Sequence, residues 1–251
     1  MELNLKDKKV LISGATGGIA SSLINSYLEE GAILYLVGRN IETLNKLKKI
    51  SNERIKLLKY DCTVDVEVKA LAADLKKSRV NLDCVISNIG DGVGSQVPLS
   101  KKNLWDKSWN INFESALNVA RHLTPILRGD DANMIMISSI AGINYLGAPT
   151  EYSIAKSSLV TLCKNLSHKL APEIRVNVVA PGNIIFKNGS WDKKLKKDKK
   201  SINRIIKDKV PLQRFGKPEE VASLVTFISS KKAQFITGAV LVVDGGQTVN
   251  F

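Results

Sequence analysis

The chain has 251 residues, of which 44% are apolar, and its formal charge at pH 7 is +13. This length suits one large domain or two small ones, with enough apolar side chains for a full core. No apolar run approaches the roughly eighteen residues of a membrane-spanning helix, so we expect a cytoplasmic protein without a membrane partner. The lysines are scattered and are not interleaved with aromatics, which disfavours a nucleic-acid partner. The cysteines, Cys62, Cys84 and Cys163, lie far apart, so neither a metal site nor a disulfide framework is expected.

Short apolar runs alternate with helical patterns along the whole chain. Seven runs predict strands, at residues 9–13, 32–37, 55–60, 82–86, 133–138, 174–180 and 239–243. Helical patterns lie between them, ending near residue 30 and then spanning residues 41–50, 64–77, 102–127, 151–170 and 219–229. This alternation predicts an α/β fold with a Rossmann-type, doubly wound parallel sheet of seven strands and helices on both faces. We expect a single domain over residues 1–251.

A glycine-rich turn separates the first predicted strand from the first predicted helix. It reads Gly14-Ala15-Thr16-Gly17-Gly18-Ile19-Ala20. Glycines let the backbone approach a pyrophosphate, and the N–H groups and dipole at a helix N-terminus favour an anion. The turn therefore predicts a dinucleotide site whose contacts include Gly14, Thr16, Gly17, Gly18 and Ile19.

The second predicted strand ends in Gly38-Arg39-Asn40 and offers no acidic residue there. An acid at this position would bind the adenosine ribose and repel a 2′-phosphate, whereas the guanidinium of Arg39 can pair with that phosphate. We therefore predict NADP(H) rather than NAD, with Arg39 and Asn40 at the adenosine end. Because ligands bind at the carboxyl ends of parallel strands, further cofactor contacts are expected at Asp61, Cys62, Asn88, Gly90, Pro181, Gly182 and Ile184.

The stretch from Ser138 to Lys156 carries the clearest chemistry. Tyr152 and Lys156 are four residues apart on a predicted helix, so their side chains can share one face. An ammonium near a phenol favours the phenolate, so we expect Lys156 to lower the pKa of Tyr152 toward working pH. Ser139 can donate a hydrogen bond to a substrate carbonyl from the end of the fifth strand. Together these side chains predict acid–base chemistry on a carbonyl or an alcohol.

Residues 185–210 interrupt the alternation with a long basic insertion, which we call the basic lid. It holds ten Lys or Arg and three Asp. Insertions at the ligand end of a sheet often form lids, and this one would suit an anionic substrate. The alternative is that the lysines only solvate an exposed helix.

Taken together, these residues resemble the short-chain dehydrogenase/reductase family over essentially the whole chain. The matching motifs are the glycine turn, Asp61, Asn88-x-Gly90, Asn112, Ser139, Tyr152-x-x-x-Lys156, Pro181-Gly182 and Asp244-Gly245-Gly246. The length and the glycine spacing resemble the compact, ketoreductase-type branch. The enoyl-reductase branch spaces its tyrosine and lysine more widely.

The resemblance implies an NAD(P)-dependent oxidoreductase that acts on a carbonyl or a secondary alcohol. It implies that Tyr152 is the general acid or base, and that Lys156 tunes it and binds the nicotinamide ribose. It also implies that Ser139 orients the substrate oxygen and that Asn112 holds a water linking Lys156 to solvent. These four residues are the candidate catalytic set.

The same resemblance implies a homotetramer or a homodimer. The helices around Ser115 and Leu159 would form one pairing surface. The strand at residues 240–243, together with Phe251, would form another.

A few positions depart from the family pattern. Ser87 and Ile89 replace an asparagine and an alanine in the turn after the fourth strand. Phe186 stands where a threonine often contacts the nicotinamide carboxamide. Glu151, directly before Tyr152, is uncommon in the family and is expected to face substrate or solvent.

The substrate class is left open between alternatives. The loop from Asn88 and the run from Pro181 resemble enzymes of bacterial surface-sugar biosynthesis, which suggests a sugar, a sugar phosphate or a nucleotide-sugar. A 3-oxoacyl-carrier-protein reductase would need basic residues for its acidic carrier, and although Arg128 is available, Pro172-Glu173 occupy the second expected position. A non-catalytic NADP-binding regulatory protein is the alternative from another class, but it would have no use for a tuned phenol.

Overall fold

The computed structural model describes residues 2–48, 53–129 and 131–249, and the strands in these ranges form one parallel sheet. They are β1 Lys9–Ser13, β2 Ile33–Gly38, β3 Ile55–Lys59, β4 Cys84–Ser87, β5 Asn133–Ile137, β6 Arg175–Pro181 and β7 Val240–Val243. Their order across the sheet is β3-β2-β1-β4-β5-β6-β7. The predicted seven-stranded, doubly wound sheet is confirmed, and each strand lies within two residues of its predicted bounds.

The α-helices connect the strands. They are α1 Ala20–Glu29, α2 Ile41–Lys48, α3 Asp65–Lys77, α4 Lys102–Trp109, α5 Ser115–Leu123, α6 Thr150–Leu170, α7 Ser190–Lys197, α8 Lys199–Lys209 and α9 Pro218–Ile228. The predicted end of the second helix at residue 50 lies outside the described residues, as does Phe251. Within the described ranges, every helix is too short or too polar to cross a lipid bilayer. The cytoplasmic location stays a prediction.

Each face of the sheet buries its own apolar core, because alternate residues of a strand point to opposite faces. Val10 and Ile12 of β1 pack with α1 and α9 on one face. Leu11, between them, packs with α3, α5 and α6 on the other face. With both faces covered, the binding crevice is left to the edge where the strands end.

The chain changes direction across the sheet between β1 and β4. It winds outward from β1 through β2 to β3, returns to β4 beside β1, and then winds to the other edge through β7. The loops that follow β1 and β4 therefore leave the sheet side by side in opposite directions, which opens a crevice between them. The predicted cofactor and catalytic residues follow the strands around this point.

The predicted helix over residues 102–127 is confirmed as an unbroken helical segment from Lys102 to Ile126, but its type changes along its length. After α4, a π-helical turn covers Asn110–Glu114, α5 follows, and a 3-10 turn over Thr124–Ile126 ends the segment. Pro125 accounts for that end, because it has no N–H to continue the helix. The π turn holds an extra residue per turn, and it contains Asn112, which is fully buried.

The basic lid folds as two amphipathic helices, α7 and α8, around a small apolar cluster. Ile202, Val210 and Phe215 form the centre of this cluster. Trp191 packs against Phe215 with 4.7 Å between the ring centroids. All ten Lys and Arg side chains of the lid are exposed, so the apolar face holds the lid together and the charged face meets solvent.

Two close contacts fix α6 against the end of β5. Ser138 Oγ donates a hydrogen bond to the backbone carbonyl of Lys156 at 2.7 Å. Gly142 lies in a 3-10 turn, and a Cβ there would be 2.7 Å from the carbonyl carbon of Lys156 and 2.8 Å from Ser157 N. Only glycine fits at this contact, which sets where Lys156 lies relative to the sheet.

We predict that Gly142→Ala lowers the free energy of unfolding by roughly 1–3 kcal/mol, because the added methyl overlaps helix backbone that cannot move aside. Gly92→Ala is the matched control, since no described atom lies within 4 Å of its Cβ position, and its effect should stay within about 0.5 kcal/mol. Urea unfolding followed by circular dichroism measures both values. Equal stabilities for the two variants would contradict the close contact.

Candidate active site

The glycine turn after β1 is joined to the end of β4. Gly14 has a φ of +66°, a left-handed conformation that favours glycine, and a Cβ there would lie 2.9 Å from Ile89 Cγ1. Asn88 donates from Nδ2 to Gly14 O at 3.2 Å and from its backbone N–H to Ser13 Oγ at 3.3 Å. The predicted contacts Gly14 and Asn88 therefore form one structural unit.

The rest of the turn presents backbone to the crevice. Thr16 and Gly17 are exposed, and α1 begins at Ala20 without a capping hydrogen bond from the side chain of Ile19. The free N–H groups of a helix start are a site for an anion. This part of the chain thus fits the phosphates of a dinucleotide.

Phe186 lies directly on Gly18. A Cβ on Gly18 would be 2.1 Å from the phenyl ring, and a Cβ on Gly189 would be 2.8 Å from it. The ring is therefore held between the glycine turn and the start of the basic lid. The sequence pattern identified Phe186 only as a departure and did not predict this packing.

Arg39 forms a loose ion pair at the adenosine end of the crevice. Its side chain is 72% exposed, and Nη1 lies 3.7 Å from Asp61 Oδ2. The other oxygen of Asp61 accepts hydrogen bonds from Thr63 N at 2.9 Å and from Thr63 Oγ1 at 2.7 Å. An exposed pair of this length contributes little stability, so Arg39 can turn to another anion at small cost.

Two other residues assigned to the cofactor are occupied elsewhere. Asn40 Oδ1 accepts the N–H of Thr43 at 3.0 Å and so caps the start of α2. The Cys62 side chain is buried, and burial raises the pKa of its thiol to about 12. Its carbonyl oxygen accepts a hydrogen bond from Asn118 Nδ2 at 3.2 Å, so the structure does not favour a cofactor contact at Cys62.

The end of β6 packs against the turn after β7. A Cβ on Gly182 would lie 2.5 Å from Gln247 Oε1, and that oxygen accepts the N–H of Asn183 at 2.8 Å. Pro181 ends the strand, and the side chain of Ile184 is buried in the core. Gln247 was not predicted, although it follows the Asp244-Gly245-Gly246 motif directly.

Lys156 is almost fully buried at the centre of the crevice, with 3% of its surface exposed. Its Nζ donates to Ile137 O at 3.0 Å, and Ile89 O lies at 3.5 Å. Burial lowers the pKa of Lys156 to about 8, while the Asp91 carboxylate acts in the opposite direction. The ammonium is thus held by carbonyl oxygens at the ends of β5 and β4.

The expected lowering of the Tyr152 pKa is not found. Burial of the phenol raises its pKa, a hydrogen bond with Ser139 lowers it, and the Asp91 carboxylate raises it further. Lys156 is directed at the backbone carbonyls of Ile137 and Ile89, and burial of the phenol is the largest influence on the pKa of Tyr152. Ser139 and Tyr152 are nevertheless brought together as predicted.

Asn112 and Lys156 meet at Gly90. A Cβ on Gly90 would lie 2.6 Å from Lys156 Nζ and 2.9 Å from Asn112 Oδ1. Asn112 Oδ1 accepts the N–H of Asp91 at 3.0 Å, and its Nδ2 donates to Ser108 O at 3.0 Å. The π turn thus directs Asn112 at the loop after β4, while its role in holding a water stays a prediction.

The sequence patterns did not single out Asp91 and did not predict how Glu151 is packed. Asp91 was not singled out, yet its carboxylate influences both Tyr152 and Lys156; its position directly after Gly90 at a strand end was the available signal. Glu151 was expected to face substrate or solvent; it is buried, which excludes the solvent alternative, and its Oε1 accepts the N–H of Ser95 at 3.0 Å.

Known proteins match this chain over nearly its whole length. The family model described as enoyl-(acyl carrier protein) reductase matches residues 14–248. Nodulation protein G of Rhizobium sp. (strain N33) is 32% identical over 247 residues, covering 96% of this chain and 97% of that protein. The 3-oxoacyl-[acyl-carrier-protein] reductase FabG of Thermotoga maritima is 27% identical, covering 98% and 100%. The solved structure of L-sorbose reductase from Gluconobacter frateurii, complexed with NADPH and L-sorbose, is 26% identical and superposes with a TM-score of 0.92, covering 100% of both chains.

We predict that Asp91→Asn moves the alkaline limb of the pH profile for carbonyl reduction to lower pH. In this direction Tyr152 must carry its proton and Lys156 its charge. The Asp91 carboxylate raises both pKa values, so removing it lowers both, and the limb falls below the pH of about 8 set by Lys156. Initial rates of cofactor oxidation against pH measure the shift.

Asp106→Asn is the control for this prediction, because Asp106 is exposed and pairs with Lys102 on the surface of α4. Its profile should match that of the unmodified chain. A limb that stays in place or moves to higher pH in Asp91→Asn would show that Asp91 does not act on these two groups.

Proposed function

The chain belongs to the short-chain dehydrogenase/reductase family, and we propose that it transfers a hydride between NADP(H) and a carbonyl or secondary alcohol on a sugar-type substrate. The observation that carries this proposal is the convergence of Lys156 and Asn112 on Gly90, beside Tyr152 and Ser139, where the strand order reverses. Tyrosine and lysine four residues apart on one helix favour carbonyl over enoyl reduction. No binding role requires this set of groups.

Proton transfer is the task of Tyr152. When bound, the nicotinamide supplies or accepts the hydride. Because burial raises the pKa of Tyr152, the phenol keeps its proton at neutral pH and can donate it to the oxygen of a carbonyl. Ser139 donates a hydrogen bond to the same oxygen and so orients the substrate.

Lys156 and Asn112 support that transfer. Lys156 is positioned by Ile137 O and Ile89 O, which leaves one N–H for the ribose hydroxyls of the nicotinamide. Asn112 is the candidate holder of a water that connects Lys156 to solvent, because it is fully buried and lies next to the ammonium across Gly90.

The adenosine end favours NADP(H). The chain offers Arg39 and Asn40 after β2 and no acid in the turn, and Arg39 has only the loose contact with Asp61. A guanidinium pairs well with a 2′-phosphate. The L-sorbose reductase neighbour, complexed with NADPH, adds support by analogy.

A sugar-type substrate is supported by the same neighbour, whose ligand is L-sorbose, and by the basic lid. Within the lid, Lys196 pairs with Asp192, and Lys194 lies over the Trp191 ring at 4.5 Å. The other exposed lysines of the lid are the candidates for a phosphate of a sugar phosphate or nucleotide-sugar. Surface-polysaccharide synthesis is a setting that would use such a substrate.

Two alternatives carry less weight. The Thermotoga maritima relative supports a 3-oxoacyl-carrier-protein reductase, and Arg128 is exposed as a carrier contact would be, but Pro172-Glu173 provide no second basic residue. A non-catalytic regulatory protein would have no need of Ser139 beside a buried phenol.

We also propose that the chain forms a homodimer or homotetramer. Ser115 and Leu159 are buried within the chain, so the accessible surface near them is formed by α4, the π turn and α6. That surface holds a groove of about 590 Å³ bordered by apolar side chains, including Trp109, Phe113, Ile154, Leu162 and Leu166. Val240 and Val242 are exposed on the edge strand β7 and suit a second contact between subunits.

Light scattering tests the proposed assembly. It should give a mass of two or four chains, and the mass of one chain would contradict this proposal.

Tyr152→Phe tests the proposed reaction. Loss of the general acid should lower kcat by roughly 10²–10⁴-fold, while the dissociation constant for NADPH stays within about threefold. Tyr145→Phe is the matched control, because Tyr145 is 95% exposed in the neighbouring loop and should retain full activity. Full turnover by Tyr152→Phe would remove Tyr152 from the mechanism.

Arg39→Asp tests the cofactor assignment. The carboxylate repels a 2′-phosphate and removes its partner, so NADPH binding should weaken at least about tenfold, while NADH binding changes little. Fluorescence titration measures both. Arg128→Asp makes the same charge change at the end of the sheet where the strands begin, since Arg128 N donates to Leu82 O just before β4. It should leave the affinities for NADPH and NADH unaltered. Equal weakening of NADH and NADPH by Arg39→Asp would rule out the 2′-phosphate contact.

A further inference from the structure

Glu151 is buried next to Tyr152 in the chain, and one of its carboxylate oxygens is free. The residue is 1% exposed. Its Oε1 accepts the backbone N–H of Ser95 at 3.0 Å, whereas Oε2 is buried without a hydrogen-bond partner among the residues that the structure describes. Native proteins rarely leave a buried polar atom in this state, because it has lost water and gained no donor. A donor that arrives with a ligand would satisfy it.

The helix position accounts for the charge but not for the free oxygen. Glu151 lies in the first turn of α6, where the helix dipole stabilises a negative group. The dipole acts on the carboxylate as a whole and places no hydrogen on Oε2. The need for a specific donor therefore remains.

The loop after β4 lies directly on this carboxylate. A Cβ on Gly94 would be 2.7 Å from Glu151 Oε1 and 2.5 Å from Pro149 Cβ. The loop is tied down twice, by Asp91 N to Asn112 Oδ1 at 3.0 Å and by Ser95 N to Glu151. The residues between these two ties form a wall beside Tyr152.

The wall is closely packed at Gly94 and has open space at Gly92. It contains two glycines, and at one of them, Gly92, no described atom lies within 4 Å of the Cβ position. Glycine permits backbone conformations that other residues do not. We expect a shift at Gly92 to admit a ligand group to Oε2 while both ties stay in place.

We propose that Glu151 determines substrate specificity, with Oε1 holding the wall in place and Oε2 accepting a hydrogen bond from a substrate hydroxyl. This rests on the proposed function and narrows its substrate to a carbonyl compound that bears hydroxyl groups next to the carbonyl. The Asp91 carboxylate, on the same wall, is a second acceptor. Two carboxylates favour hydroxyl donors and repel phosphate. We therefore expect the part of the substrate that carries the carbonyl to be neutral, and any anionic group of the substrate to extend toward the basic lid.

Paired ketones of similar size test this directly. Dihydroxyacetone carries hydroxyls on both sides of its carbonyl, and 2-butanone carries none. In Glu151→Gln the amide oxygen can still accept from Ser95, but an NH2 group replaces Oε2. We expect kcat/KM for dihydroxyacetone to fall roughly 10- to 100-fold, mainly through KM, and kcat/KM for 2-butanone to stay within about twofold. Initial rates of NADPH oxidation by the full chain give both values.

Two controls and a binding measurement complete the test. Glu173→Gln changes an exposed glutamate and should leave kcat/KM unchanged for both ketones. Glu151→Ala also removes the tie to Ser95, so both ketones should be reduced more slowly. In the presence of NADP⁺, sorbitol should raise the melting temperature of the unmodified chain more than that of Glu151→Gln, because both proteins share its general osmolyte effect.

The outcomes separate the two proposals. If Glu151→Gln lowers kcat/KM equally for both ketones, or for neither, the role of Glu151 is overturned and the proposed function stays in place. An equal sorbitol shift in the two proteins also overturns that role. Failure of the unmodified chain to reduce any carbonyl compound with NADPH or NADH overturns the proposed function and this inference with it.

Discussion

The buried ammonium of Lys156 is the constraint on which the rest of the site depends. A charge removed from water needs hydrogen-bond acceptors, and Lys156 finds them in Ile137 O and Ile89 O, at the ends of β5 and β4. Free carbonyls in this arrangement exist where parallel strands end, so the lysine must reach the sheet there. α6 can come close enough only because Gly142 and Gly90 carry no side chain at the contact points.

Burial acts on the two titrating groups of the site in opposite directions. It lowers the pKa of Lys156 to about 8 and raises that of Tyr152. The phenol therefore keeps its proton at neutral pH, and the lysine is a cation whose pKa of about 8 lies only a little above neutral pH. Asp91 favours the protonated form of both groups, so Tyr152 has a proton available for a carbonyl at neutral pH. Glu151 completes this acidic side of the crevice, since it holds the wall that also carries Asp91.

Local patterns were enough to predict the fold and to place Ser139 near Tyr152. Short apolar runs predict the strands. The helix repeat places Tyr152 and Lys156 on one face of α6. What the patterns could not give depends on residues distant in sequence. The pKa of Tyr152 follows from how deeply α6 is buried, and the burial of Glu151 follows from a loop more than fifty residues earlier. Likewise, the π turn at Asn112 and the packing of Phe186 on Gly18 arise from tertiary contacts that no short window contains.

The most direct test of the account is NADPH oxidation by the purified chain with a panel of carbonyl compounds, half of them keto-sugars and their phosphates and half of them 3-oxoacyl thioesters. The account predicts that NADPH binds more tightly than NADH and is oxidised with the keto-sugar half. Oxidation with the thioester half alone would assign the enzyme to the acyl-carrier alternative. Tight NADPH binding without turnover on either half would contradict the catalytic role of the site.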